Sequence, residues 1–162
     1  MSVQMKSMVP EQMLTRRSIL LGLLALSAIP LHVQAQQKVV INVWKDPNCG
    51  CCADWMDHLQ NNGFVTKVAD TPHQAKRMQL GIPSKYASCH TAEVQGYAIE
   101  GHVPAADIKR LLQERPSALG LAVPGMPIGS PGMDGPAYGG KREAYNVLLI
   151  QKDGTSKIYS SY

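Results

Sequence analysis

The sequence predicts an α/β domain over residues 36–162, a central sheet with flanking helices, and three observations carry that prediction. β-branched runs of strand length alternate with segments whose apolar residues recur at three and four. Helix stops fall where this alternation needs them, at Gly63, Gly81 and Pro116. The chain closes on two strand-length segments, Ala144 to Gln151 and Thr155 to Ser160, on either side of Asp153-Gly154, a hairpin signal. A length of 162 residues suits one domain, since domains cluster at about 100–150 residues.

Residues 1–35 read as an address rather than as part of the domain. Arg16-Arg17 precedes an apolar run from Ile19 to Ile29, followed by Pro30 and the small-residue exit Val33-Gln34-Ala35. A positive end, an apolar middle and a small-residue exit define a secretory signal peptide, with cleavage expected after Ala35. Thr15-Arg16-Arg17-Ser18-Ile19-Leu20 also resembles the twin-arginine export box, with Ile19 in place of Phe and no Lys after it, so both export routes fit. An uncleaved anchor is the rival reading, because Ser18 to Gln37 carries no formal charge. Pro30, His32 and three Gln make that stretch poor hydrocarbon filling, and no later segment suits a bilayer. No stable membrane association is expected after cleavage.

Lys and Arg number 16 against 12 Asp and Glu, and Lys6, Arg16 and Arg17 belong to the address, which leaves the remainder close to neutral. With no basic run, nucleic acid is excluded as the expected partner.

The elements follow in order. Lys38 to Trp44 is β-branched and apolar, a buried strand that Asp46-Pro47-Asn48 stops. From Cys51 or Cys52 to Asn62 the residues Cys52, Trp55, Met56 and Leu59 make one helical stripe, for which Trp55 and Met56 are expected to supply packing. Phe64 to Ala69 is a short strand. Thr71-Pro72 predicts a capped helix from Pro72 to Leu80. Ile82 to Thr91 reads as irregular, Val94 to Ile99 as a strand, and Pro104 to Arg115 as a helix with Ile108, Leu111 and Leu112 inward. Between Leu119 and Gly140 lie half of the fourteen Gly and four of the eleven Pro, too many for regular structure. Ala144 to Gln151 and Thr155 to Ser160 form the closing hairpin.

All four cysteines, Cys49, Cys51, Cys52 and Cys89, fall in the predicted domain. An even count in an exported chain ordinarily means structural disulfides, but the spacing argues otherwise. Vicinal Cys51 and Cys52 cannot pair without strain, and a Cys49–Cys52 bridge closes too short a loop to remove much chain entropy. Cys49-Gly50-Cys51-Cys52 sits where a strand hands over to a helix, so free N–H groups and the positive dipole end favour thiolate. Three crowded soft sulfurs suit Cu(I) ahead of zinc or an iron–sulfur cluster, and their number suggests bridging between several copper ions. A tetrahedral zinc site using Cys89 as the distant ligand is sterically tight.

Other donors are more ambiguous. Met126 and Met133 sit in a Gly/Pro loop, an odd place for core filling, and each is a candidate ligand or wall of the site. His90 adjoins Cys89 and either ligates or points outward. His102, at a strand-to-helix junction, either serves the site or caps backbone. His58 and His73 read as solvated helix residues.

Val39 to Trp44 followed by Pro47-Asn48-Cys49-Gly50-x-Cys52 resembles the thioredoxin-like fold, whose redox pair also follows a strand and opens a helix. Val123-Pro124-Gly125-Met126-Pro127-Ile128 looks like that fold's second landmark, a cis-proline segment facing the cysteines. The resemblance implies Pro127 as the cis-proline and Met126 turned toward the thiols. Cys51 stands where thioredoxins commonly carry Pro, and Gly129 to Glu143 is inserted before the next strand.

Four ordered motifs carry a closer resemblance: W-K-D-P-N-C-G-C-C (Trp44 to Cys52), S-C-H-T-A (Ser88 to Ala92), E-G-H-V-P-A (Glu100 to Ala105) and V-P-G-M-P-I-G-S-P-G-M (Val123 to Met133). Together they resemble the small exported family typified by the copper-resistance protein CopG. The resemblance implies a thioredoxin-like fold with a cysteine-held copper site in the periplasm, Cys49, Cys51, Cys52 and Cys89 being the matching ligand positions and Met126 following less directly. The expected function is copper homeostasis or resistance, holding Cu(I) or a small copper cluster, with other periplasmic copper-handling proteins as partners. Two rivals stand beside it: a periplasmic thiol–disulfide oxidoreductase using Cys49 and Cys52, and a structural zinc or disulfide site in a binding module.

Overall fold

The structure, a computed structural model, describes residues 37–69 and 71–162; the expected signal peptide and twin-arginine box lie outside the described residues. Among these residues no helix is long and apolar enough to cross a membrane.

β1 (Val40–Lys45) leads through a turn at residues 46–48 into α1 (Gly50–Asn61), and Gly63 at φ +91° returns the chain to β2 (Val65–Ala69). β2 pairs parallel to β1, so α1 is the crossover of a βαβ unit. α2 (His73–Gln79) and a 3₁₀ turn at Ser84–Tyr86 precede β3 (His90–Val94) and β4 (Tyr97–Glu100), an antiparallel hairpin. α3 (Ala105–Glu114) crosses to β5 (Gly120–Ala122), parallel to β4, and β6 (Asn146–Ile150) and β7 (Ser156–Ser161) close the sheet. The result is one seven-stranded mixed sheet in the order β2-β1-β3-β4-β5-β6-β7 with three helices, the expected α/β architecture.

Strand alternation sets the two faces. Ile41 and Val43 of β1, Ala92 and Val94 of β3, Ile99 of β4 and Leu121 of β5 point to the side where Trp55, Leu59, Ile108 and Leu111 of α1 and α3 are buried. Burial of a side chain of this size stabilises by about 1.5–3 kcal/mol. Ala98, Ala122 and Ile150 face the other side and pack with Ile82 and Tyr86.

Three sequence expectations are corrected. The stretch predicted as one strand from Val94 to Ile99 contains a turn: Gln95 and Gly96 both have positive φ, the requirement of a tight two-residue hairpin, and the strand before it begins at His90. β5 lies inside the stretch predicted to be irregular. The cap of α2 is Pro72, with no side-chain cap bond from Thr71.

Register decides what meets at the sheet's end. Trp44 lies opposite Thr91, Thr91 opposite Glu100, and Glu100 opposite Ala122, forming one row across four strands. β3 runs against β1, β4 and β5, so the segments just past this row are the exit of β1, the entry to β3 and the exits of β4 and β5. They carry, in that order, Cys49, Cys89, His102 and Met126.

Candidate metal centre

Cys49 is the N-cap of α1, with extended backbone and no side-chain cap bond, and the first turn holds no acidic residue. The unpaired amides and positive end of the helix therefore lie beside the sulfurs, as the sequence predicts. The approach is braced by the Lys45 ammonium, which donates to the carbonyls of Asp46 at 3.1 Å and Pro47 at 3.3 Å.

The four sulfurs form a closed ring. Cys49 and Cys52 are joined as a disulfide, and Cys51 and Cys89 are free thiols. Cys51 Sγ lies 3.7 Å from Cys49 Sγ and 3.9 Å from Cys89 Sγ, and Cys89 Sγ lies 3.6 Å from Cys52 Sγ. All four ligand atoms fall within 4.8 Å of one another; Cys52 is buried and the other three are half-buried. Burial, reinforced by the neighbouring Cys51, pushes the Cys89 thiol up to about 12. It is protonated at neutral pH in the metal-free chain, and a bound ion must displace that proton.

Two imidazoles complete the surroundings of Cys89. His102 Nδ1 is 2.8 Å from the Pro131 carbonyl, which can only accept, so Nδ1 carries the proton. Nε2 therefore offers its lone pair, 3.0 Å from Cys89 Sγ. His90 Nδ1 lies 3.4 Å from the same sulfur, its ring resting on Trp55 with centroids 4.2 Å apart. Burial holds His90 well below the ordinary imidazole range, with nearby His102 adding to the effect, and burial also lowers His102. Both rings are neutral at neutral pH.

Behind the thiols stands a network that the sequence reading did not find. Glu100, fully buried, accepts the Ser88 N–H at 2.7 Å, the Thr91 hydroxyl at 2.6 Å and Arg77 Nη1 at 3.3 Å. Burial raises its pKa against the pull of these donors. His73 Nε2 lies 3.1 Å from the Ser88 carbonyl, and the Ser88 hydroxyl donates to the Gly125 carbonyl. Ser88, the residue before Cys89, is thus held through its N–H, its carbonyl and its hydroxyl. The only sequence signal for Glu100 was its place beside Gly101-His102 in one motif.

The remaining candidates divide. Gly125, just before Met126, donates to the Ala87 carbonyl at 3.0 Å, which keeps the Met126 loop beside the Cys89 segment with Met126 itself 50% exposed. Met133 is buried, and its sulfur accepts the Tyr138 hydroxyl at 3.2 Å. No cis peptide occurs among the described residues, so Pro127 is trans, and the segment facing the cysteines ahead of an antiparallel strand is Ser88-Cys89. The two histidines expected to be solvated are engaged: His73 is buried, and half-buried His58 accepts the Ala105 N–H at 3.1 Å, capping α3.

Fold and site define an α/β protein whose cysteine cluster is able to bind metal. Residues 86–133 match a family described as "Protein of unknown function, DUF411". Two solved structures, forms 1 and 2 of a copper resistance protein CopG, match with a TM-score of 0.72 and 42% identity. They cover 78% of this chain, and 98% and 99% of theirs. No curated protein matches. The chain belongs to the CopG copper resistance family.

Proposed function

We propose that residues 36–162, after removal of the signal peptide, are a periplasmic copper-binding protein of copper homeostasis or resistance. Cys49, Cys51, Cys52 and Cys89 hold Cu(I), alone or as a small cluster. The observation that carries this reading is the ring of four sulfurs within 4.8 Å at the uncapped end of α1. Such a set is soft, readily ionised once metal competes for its protons, and too crowded for every sulfur to serve one ion; soft thiolates select Cu(I). The Cys49–Cys52 disulfide must first take up two electrons and two protons to deliver four thiols. Met126 is the further sulfur ligand in this reading, supported by its loop being tied through Gly125 to Ala87 and Ser88. A strand handing over to a helix that opens on Cys49–Cys52 supports the thioredoxin-like reading of the fold.

Anaerobic addition of Cu(I) to the fully reduced chain is the test. More than one copper per chain, with a sulfur-rich shell by X-ray absorption, is expected; a single ion removes the cluster, and none at equimolar dose removes the copper reading. The Cys49–Cys52 disulfide favours one second reading, a thiol–disulfide oxidoreductase with Cys49 attacking and Cys52 resolving. In that case insulin reduction survives Cys51→Ser.

A further inference from the structure

Tyr145 and Tyr162 extend the ladder of β6 and β7 by one rung. The Tyr145 N–H donates to the Tyr162 carbonyl at 3.1 Å, and the Tyr162 N–H donates to the Tyr145 carbonyl at 2.9 Å. The two residues are therefore directly opposed, next to the pair Asn146 and Ser161, and their side chains leave the same face of the hairpin. Their rings stack, with centroids 5.1 Å apart and planes 13° from parallel. The Tyr162 hydroxyl donates to Asp107 Oδ2 at 2.7 Å, and the other oxygen of that carboxylate faces the Arg110 guanidinium at 3.5 Å, so the acceptor is itself held in place. Tyr145 is half-buried and Tyr162 is 52% exposed, which makes Tyr162 the ring that an oxidant in solvent meets.

We propose that this pair is an oxidative modification site, at which a peroxide joins Tyr145 to Tyr162 as an intramolecular dityrosine. Each phenol gives up one electron and its hydroxyl proton. One C–C bond then forms between the ortho carbons of the two rings, and the hydrogens on those carbons pass to the phenol oxygens. One hydrogen peroxide takes up the two electrons and two protons, and its O–O bond breaks to leave two waters. Asp107 accepts the Tyr162 proton as the electron departs, which is the work of a positioned base. The other tyrosines are not so placed. Tyr86 and Tyr97 are buried, with their hydroxyls on the Gly154 and Pro116 carbonyls. Tyr138 donates to the Met133 sulfur, and Tyr159 donates to Glu114 with its ring under the Arg110 guanidinium. Among the described residues no other two phenol rings stack. The product would bind the end of β7, an edge strand paired only with β6, to the start of its neighbour. No cysteine or histidine of the metal centre takes part.

The full chain, kept dilute, is treated with hydrogen peroxide and a haem peroxidase, and its monomer fraction is mapped after trypsin, which cuts behind Arg142, Lys152 and Lys157. Dityrosine fluorescence in the monomer is expected, with peptides 143–152 and 158–162 joined and lighter than their sum by two hydrogens. Tyr159→Phe, which removes the other phenol of the second peptide, should leave the yield unchanged. Tyr162→Phe keeps a ring in the stack but has no phenol, and should lose the product. Asp107→Asn, which cannot take the proton, should slow coupling severalfold; an unchanged rate overturns the proton step. Cross-links found only between chains, joined peptides that run through other tyrosines, or an undiminished yield in Tyr162→Phe would overturn the proposal. Copper uptake does not enter this measurement, so the four-thiol reading stands or falls by its own test.

Discussion

Glu100 has no exposed surface, yet its carboxylate takes three of the donors that set where Cys89 stands. A carboxylate suits this position because it only accepts, and its neighbours are an amide, a hydroxyl and a guanidinium. Glu100→Gln keeps the shape but replaces one acceptor oxygen with a donor, so one neighbour loses its partner and Arg77 loses its counter-charge. The expected loss is about 1–3 kcal/mol, read from urea unfolding, together with faster alkylation of Cys89 as Ser88 loosens. A variant with wild-type stability and wild-type Cys89 reactivity would show that the network does not position the thiol. The cysteines were legible in the sequence because thiols this close together have few structural uses. The convergence of His90 and His102 was not, because it depends on β3 and β4 being paired so that residues 12 apart reach one sulfur, and only the register of the hairpin fixes that.

At the scale of elements, β1, α1, β2 and α3 were legible from their apolar pattern, and the hairpin of β6 and β7 from its Asp153-Gly154 turn signal. Two were not, for separate reasons. Gly96 looked like the interior of a strand, whereas with Gln95 it is the turn between two. β5 is three residues built around Gly120, where a Cβ would overlap the Ala98 carbonyl, so the strand has no side-chain period to display. The Gly/Pro segment after β5 is likewise packed rather than loose. A Cβ on Gly132, at φ +84°, would sit 2.6 Å from the Cys51 carbonyl and 2.7 Å from the Trp55 nitrogen, so glycine lets this loop lie on α1. The neighbouring Pro131 carbonyl holds His102. Gly132→Ala should therefore push the loop away, cost about 1–3 kcal/mol and release the His102 ring, visible as a change in its NMR signals. Gly135→Ala, with open space around it, is the control and should change neither. If both variants behave alike, the loop's contact with α1 does not hold the histidine.

Among the described residues, four histidines are held below the ordinary imidazole range. Burial is the largest cause lowering His58, His73, His90 and His102 from their ordinary value of 6.5, although carboxylates or carbonyls partly offset it. In the unfolded chain each takes a proton near that value, so just below it the unfolded state binds more protons and stability rises with pH. The stabilising contribution is fully present above 6.5 and is lost as pH falls toward the lowered folded values. Glu100 acts in the opposite sense: burial raises its pKa against the pull of its three donors, so its contribution declines as pH rises above the ordinary carboxyl value. One carboxyl against four imidazoles leaves the histidines dominant between the two ranges. The urea midpoint of the metal-free chain should therefore drop between about pH 7.5 and about pH 5.5. The double variant His58→Gln, His73→Gln, which leaves the pair around Cys89 in place, should drop less steeply, since fewer buried bases then remain to be protonated on unfolding. A midpoint that stays level across that interval would mean that the imidazoles are solvated in the folded chain, and the packing that turns His90 and His102 toward Cys89 would go with it.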